Sequence, residues 1–283
     1  GYFIASSQKT TLQLIIRGIK IIALGMALNI ALNINLFISV SKGKFAIDIL
    51  PYIFGVDILQ NAGLSIIIIA LLKKLLNSST FFPVILSLTA AVLGNLLLDC
   101  IPEQKSLLYT LAFIYGDGWW SYFPLFPWIA YSLAGIAFYK ITQRYDFSLF
   151  SSLKGKIVLG VLFCMFLVFT SDYAVSIASD LQAYYHHGIL FFAWTIVFLI
   201  FYGFFIAEIV NFAGNNPLFN YLKWLGRNIT TVYVIQWIII GNTATEIYKT
   251  ISSPVWLLLF FFIILIMVSL LCYLFVKIKQ MLS

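Results

Sequence analysis

Polar residues in this chain punctuate long apolar runs. Hydrophobic stretches cover positions 12–40, 53–72, 81–98, 120–139, 156–176, 188–212, 229–248 and 254–276. In a helix, about 20 apolar residues at about 1.5 Å each cross a hydrocarbon layer of about 30 Å. The pattern therefore predicts about eight membrane helices. The first run is long enough to tilt or to extend past the bilayer, whereas the short 106–115 stretch reads as a half-helix or interfacial segment. A transmembrane barrel would alternate apolar and polar residues in segments of about ten, and no such alternation is present. The expected fold class is all-α, a polytopic transmembrane helical bundle forming a single integral-membrane domain over residues 1–283.

Composition excludes the soluble alternatives. The chain is 62% hydrophobic and 18% aromatic with only 10% charged residues, and its mean hydropathy is +1.01, more than a soluble domain presents to water. Cys100, Cys164 and Cys272 stand in apolar context without paired spacing, so no disulfide framework, zinc motif or metal site is expected. A net charge of +7 in a soluble protein would point to nucleic acid; here the lipid bilayer is the expected partner, and the charge is read against topology. Lys9, Arg17, Lys20, Lys73, Lys74, Lys140, Arg144, Lys154, Lys156, Lys223, Arg227, Lys277 and Lys279 fall on one side. Lys42, Lys44, Lys105 and Lys249 fall on the other, with Asp48, Glu103, Asp117, Asp180 and Glu246. The positive-inside rule then makes both ends of the sequence cytoplasmic, and the expected location is the plasma or inner membrane, which the chain crosses many times. No loop exceeds roughly 20 residues, too short for an independent domain, so any chemistry belongs inside the bundle or at its mouths.

Several polar residues resist a purely structural account. In "FGVDILQNAGLS" (54–65), Asp57 and Gln60 share one helical face with Asn61 beside them. They are either a helix start favoured by the dipole or the polar wall of a substrate cavity. Asn29, Asn33 and Asn95 interrupt apolar runs and suit interhelical hydrogen bonding. Arg17 and Lys20, a turn apart, either snorkel to headgroups or hold the phosphates of an anionic cofactor. Pro217 and Gly226 break the backbone around Arg227, whose planar fork suits a phosphate, and Asn228 can cap the helix that follows. The two histidines of the sequence stand together in "AYYHHGILFF" (183–192), on the same outer face as "GDGWWSYFPLFPW" (116–128). Tyr184, Tyr185, His186 and His187 are either an interfacial collar or a catalytic and acceptor-contact cluster. On one continuous helix adjacent side chains diverge by about 100°, so at most one imidazole could face a bundle interior.

Three segments, "VDILQNAGLSIII", "YFPLFPWIAYSLAGIAFYK" (122–140) and "LGRNITTVYVIQW" (225–237), in that order, resemble the membrane acyltransferases, in particular the heparan-α-glucosaminide N-acetyltransferase-like branch. Acyltransferase family 3 is similar in the first and third. The resemblance implies an enzyme that takes an acyl group, with acetyl-CoA as donor, on the cytoplasmic side and delivers it to a sugar or glycan on the far side. It implies that Asp57, Leu59 and Gln60 form the D-I-L-Q turn, that Pro124, Leu125, Pro127 and Trp128 open a core helix, and that Gly226, Arg227 and Asn228 form the G-R-N turn. Members often carry His where Gln236 stands. The family's essential histidine, with an Arg before it, lies in or just after a first helix. "GYFIASSQ" resembles the tail of the second, so the chain is expected to be N-terminally incomplete or a degenerate member.

On this reading His186, His187 and Asp57 are the candidate catalytic groups, with a general base taking the acceptor proton or an imidazole carrying the acyl group covalently. Arg17, Lys20, Arg227 and Asn228 are the candidate contacts to the CoA donor. Gln60 and Asn61 could polarise the carbonyl. Trp119, Trp120, Tyr184 and Tyr185 suit the apolar faces of a sugar, and Asp117 could orient its hydroxyls. A homodimer or larger membrane complex fits the same sequence. Two other classes stay open: a secondary transporter or flippase, which broken helices and intramembrane polar groups also fit, and a non-catalytic membrane subunit of an envelope complex.

Overall fold

The apolar runs fold as helices, and the polar or backbone-breaking residues between them decide where each one stops. A computed structural model describes residues 1–100, 102–116, 118–147, 152–214, 216–243 and 253–282. In chain order the helices are α1 (Tyr2–Ala5), α2 (Thr11–Leu32), α3 (Ile34–Ser41), α4 (Leu50–Ile53), α5 (Ile58–Leu71), α6 (Lys73–Ser78), α7 (Phe81–Leu96), α8 (Lys105–Leu111), α9 (Leu125–Arg144), α10 (Leu153–Ser179), α11 (Leu181–Tyr185), α12 (Ile189–Ala213), α13 (Pro217–Arg227), α14 (Ile229–Thr243) and α15 (Pro254–Leu282). The described residues contain no β-strand, and one isolated parallel bridge joins Val56 to Ser121.

Among them α2, α10, α12 and α15 are long and apolar enough to cross a membrane, while α5, α7 and α14 are apolar but shorter. The chain is thus an all-helical membrane protein. The 12–40 run is not one helix: Asn33 separates α2 from α3 at φ −104° and ψ 12°. Its amide donates to the Asn29 carbonyl at 2.9 Å, a local bond that competes with the helix ladder. The 106–115 stretch forms the short α8, as its length required. The 229–248 run is helical to Thr243, and its remaining positions lie outside the described residues.

The chain divides into two compact units, Gly1–Gly25 with Phe54–Ile206, and Met26–Ile53 with Ala207–Ser283. In the first, α7 packs along α9, and Ala90, Ala91, Ile129, Ala130, Leu133 and Ile136 lie in its buried core. Small side chains let the two backbones approach, and the Ser87 hydroxyl donates across the gap to the Ala130 carbonyl at 2.8 Å. α2 crosses α5 where a Cβ on Gly63 would sit 2.7 Å from the Gly18 carbonyl oxygen, so only glycine fits that contact. In the second unit amides join the pieces: Asn29 donates to the Ile53 carbonyl at 3.1 Å, and Asn242 on α14 donates to the Ala31 carbonyl at 3.0 Å. The Tyr221 and Ser269 hydroxyls, 2.6 Å apart, link α13 to α15.

Candidate functional site

The site grows in the first unit from a turn that starts α5. Asp57 is its N-cap: the carboxylate accepts the Ile58 N–H at 2.7 Å, and Gln60 Oε1 accepts the Asp57 N–H at 3.2 Å, completing a capping box. Gln60 is fully buried, and Gly25 of α2 makes room for it, since a Cβ there would lie 2.8 Å from its amide. Its Nε2 donates to the Gly55 carbonyl at 3.3 Å. Asn61 Nδ2 donates to the carbonyls of Phe123 and Pro124 at 3.2 and 2.9 Å. These amides therefore position the 120–124 segment. Two backbone bonds reinforce the junction, Val56 N–H to the Trp120 carbonyl at 2.8 Å and Phe123 N–H to the Val56 carbonyl at 3.0 Å.

The 120–128 segment in turn meets the tyrosine–histidine stretch. Trp128 Nε1 donates to the Tyr185 carbonyl at 2.8 Å. Phe123 packs edge-on against Tyr185, and Tyr122 does the same, both with ring centres 5.2 Å apart. The Trp128 and His187 rings meet perpendicularly at 5.0 Å. α11 ends at Tyr185, with His186 at φ −117° and ψ 33°, and α12 begins only at Ile189. The two imidazoles therefore lie at a break rather than on the helix start expected from the sequence. Both are buried, at 7% and 3% exposure, because the 100° divergence applies only to a continuous helix.

His187 is the chemically distinctive group. Its Nδ1 lies 2.8 Å from the Tyr184 carbonyl oxygen, an acceptor only, so Nδ1 carries the proton. In the neutral ring Nε2 is then an acceptor, and the Tyr131 hydroxyl, 2.7 Å away, donates to it. Thr195, close enough to act on Tyr131, donates its hydroxyl to the Phe191 carbonyl at 2.8 Å. His187 stands between the spanning-length helices α10 and α12. Burial holds its imidazole down to about 4; the Tyr184 carbonyl works against that shift and His186 adds to it. The ring is neutral at pH 7 and offers a hydrogen-bonded lone pair, an arrangement suited to passing a proton between oxygen and nitrogen. Burial first, and then the Tyr184 hydroxyl and Asp57 carboxylate, push the Tyr185 phenol up. Asp57 thus acts electrostatically on the aromatic cluster.

The structure brings together Asp57, Gln60, Asn61, Trp120, Tyr184, Tyr185, His186 and His187, with the exposed Trp119 ring perpendicular to Trp120 at 6.0 Å. It does not bring Arg17 or Lys20 to them. With Gly18 against Gly63 and Gly25 against Gln60, Arg17 and Lys20 lie about 12 and about 8 Å along the α2 axis from the level of Gln60. Both are exposed. Arg227 and Asn228 belong to the second unit. There the Asn228 side chain donates back to the Trp224 carbonyl at 2.9 Å, closing α13 rather than capping the next helix. Asp117 lies outside the described residues. Sequence reasoning missed Tyr131 and Thr195 and gave Trp128 only a positional role. The signal for Tyr131 was present: three residues after Trp128, it shares that side chain's helical face.

The comparisons with known proteins are sparse. A family model described as heparan-alpha-glucosaminide N-acetyltransferase, catalytic, matches residues 1–167. No curated protein and no solved structure matches the chain. The matched range includes Asp57, Trp120, Trp128 and Tyr131 and ends before the histidine pair.

Proposed function

The chain belongs to the heparan-alpha-glucosaminide N-acetyltransferase catalytic family, and we propose that it is a membrane-embedded acyltransferase. On this reading, one acyltransferase domain over residues 1–283 moves an acyl group, acetyl in the first instance, from cytoplasmic acyl-CoA to a sugar or glycan on the extracytoplasmic side of the plasma or inner membrane. The observation that carries the reading is the hydrogen bond from Tyr131 to the neutral His187, set against the turn that Asp57 begins.

The acceptor hydroxyl or amine donates to Tyr131 Oη. As it attacks the thioester carbon, its proton passes to Tyr131 while the phenolic proton moves to His187 Nε2. The new O–C or N–C bond forms, the C–S bond breaks, and the thiolate leaves. Burial disfavours the imidazolium, so the proton returns through Tyr131 to the sulfur, giving the acylated acceptor and free CoA thiol. Asp57 stabilises positive charge developing nearby. Trp119, Tyr122, Tyr184 and Tyr185 supply ring faces for the sugar, and His186 helps shape their bed. Arg17 and Lys20, both exposed, are cations for the donor's phosphates in the first unit, and Arg227 is an exposed cation of the second.

The test is transfer of label from acetyl-CoA to sugar acceptors by purified chain reconstituted in vesicles. Tyr131→Phe and His187→Gln each lower turnover by about 10²-fold or more, in line with the loss of general acid–base catalysis. Wild-type turnover in both variants removes the pair from the mechanism.

A further inference from the structure

In the second unit the short α13 differs in kind from its apolar neighbours. Its 11 residues reach about 16 Å, half of a hydrocarbon layer of about 30 Å, so α13 does not span one by itself. Asn216 caps its start, accepting the Leu218 N–H at 2.9 Å, and Pro217 opens the first turn. Tyr221 ties the helix to α15 through Ser269, and the Tyr221 and Trp224 rings stack with centres 6.2 Å apart. Leu218, Leu222 and Leu225 follow one another at i, i+4 and i+7, and the first two stay exposed at 60% and 49%. On roughly the opposite side Asn220, Lys223 and Arg227 form a second row, also exposed. No Asp or Glu occurs between Glu208 and Glu246, and neither Lys223 nor Arg227 has an ion-pair partner among the described residues.

We propose that α13 lies along the membrane boundary and docks anionic phospholipid headgroups. Its two rows choose this occupant together. The leucine row suits acyl chains, and the half-buried Tyr221 and Trp224 beside it suit the headgroup level. The opposite row sets two cations one turn apart with no acid between them, the complement of a phosphodiester anion. The planar fork of Arg227 takes two phosphate oxygens, and Lys223 adds a compact charge on a flexible stem. A zwitterionic lipid brings its own cation, which these residues repel, so the surface selects by net charge. Other occupants satisfy only half of it. A soluble polyanion leaves Leu218 and Leu222 in water, and a second copy packed on the leucines leaves both cations without an anion. The proposal goes beyond the acyltransferase reading and stands whether or not the chain transfers acyl groups.

Native mass spectrometry of the purified chain, titrated in detergent with phosphatidylglycerol or phosphatidylcholine, tests it. Phosphatidylglycerol should be held more tightly. Lys223→Gln combined with Arg227→Gln should raise the Kd of the first retained phosphatidylglycerol by about 30-fold, the effect of two cations at a charged lipid surface. Lys42→Gln combined with Lys44→Gln, at two exposed cations outside α13, should leave it unchanged. Leu218→Ser combined with Leu222→Ser should weaken both lipids alike. In nanodiscs the α13 amides should exchange deuterium more slowly with phosphatidylglycerol than with phosphatidylcholine, and added salt should erase most of that difference. Equal retention of the two lipids by the wild-type chain, a cation variant that holds phosphatidylglycerol as before, or a leucine variant that changes the oligomeric state but not lipid retention overturns the proposal. So does a cation variant that loses acetyl-CoA binding in lipid-free detergent while its phosphatidylglycerol retention stands.

Discussion

His187 illustrates how one side chain combines stability and chemistry. Its pKa is lowered from 6.5 to about 4 on folding, so between those values the unfolded chain binds the extra proton. Stability is therefore complete above about pH 6.5 and lost as pH falls toward 4, with a full difference of about 3 kcal/mol. A melting curve of the purified protein should fall over that window, and His187→Gln should flatten the fall. An unchanged slope in the variant would assign the acid sensitivity elsewhere. The neighbouring Asp57 separates two roles. Asp57→Ala loses the cap and about 1 kcal/mol, whereas Asp57→Asn retains a capping oxygen but no charge. Transfer activity that drops in both variants, with stability lost only in the first, identifies the carboxylate charge as the active property. At this scale the sequence was half legible. The Asp57–Gln60 spacing announced a helix start, but the imidazole pair was placed on a continuous helix, and the break at His186 reverses that geometry.

At the scale of elements, the apolar runs gave most helices within a few residues, because hydrophobic length and helix-stopping polar groups act locally. Asn33 was the exception. Its amide bonds one turn back, and that choice depends on backbone geometry the residue string does not specify. Close crossings are also hard to read from sequence: Gly63 and its partner Gly18 lie 45 residues apart. Gly63→Val would drive Cβ to 2.5 Å from Ile22 Cγ1 and 2.7 Å from the Gly18 carbonyl. The expected cost is about 1–3 kcal/mol, read as a lower melting temperature, while Gly203→Ala, with open space around it, should leave the melt unchanged. A melt unaffected by Gly63→Val would show that α2 and α5 do not meet there.

For the whole molecule, charge distribution predicts sidedness that helix positions alone do not fix. Cys100 is exposed and lies on the side with few cations, so an impermeant maleimide should label it in intact cells. A cysteine placed by Lys74→Cys should react only after permeabilisation. The opposite pattern would invert the membrane orientation. The convergence of segments from α5, the 120–128 stretch and the α11–α12 break was legible in the family resemblance for the first two. The third lies beyond the matched residues and emerges only from packing, through contacts such as Trp128 with Tyr185.

The seam between α5 and residues 120–124 has a mechanical consequence. Val56, Asn61, Trp120, Phe123 and Pro124 are stitched by bonds running in both directions, and with Val56, Asn61 and Pro124 buried little water stands ready to replace a lost stitch. Loosening one leaves its neighbours to carry the load, so the seam yields all together or not at all. Deuterium uptake at the amides of Val56 and Phe123 should rise in step, with a single opening rate, while the amides bordering the α11–α12 joint exchange on their own schedule.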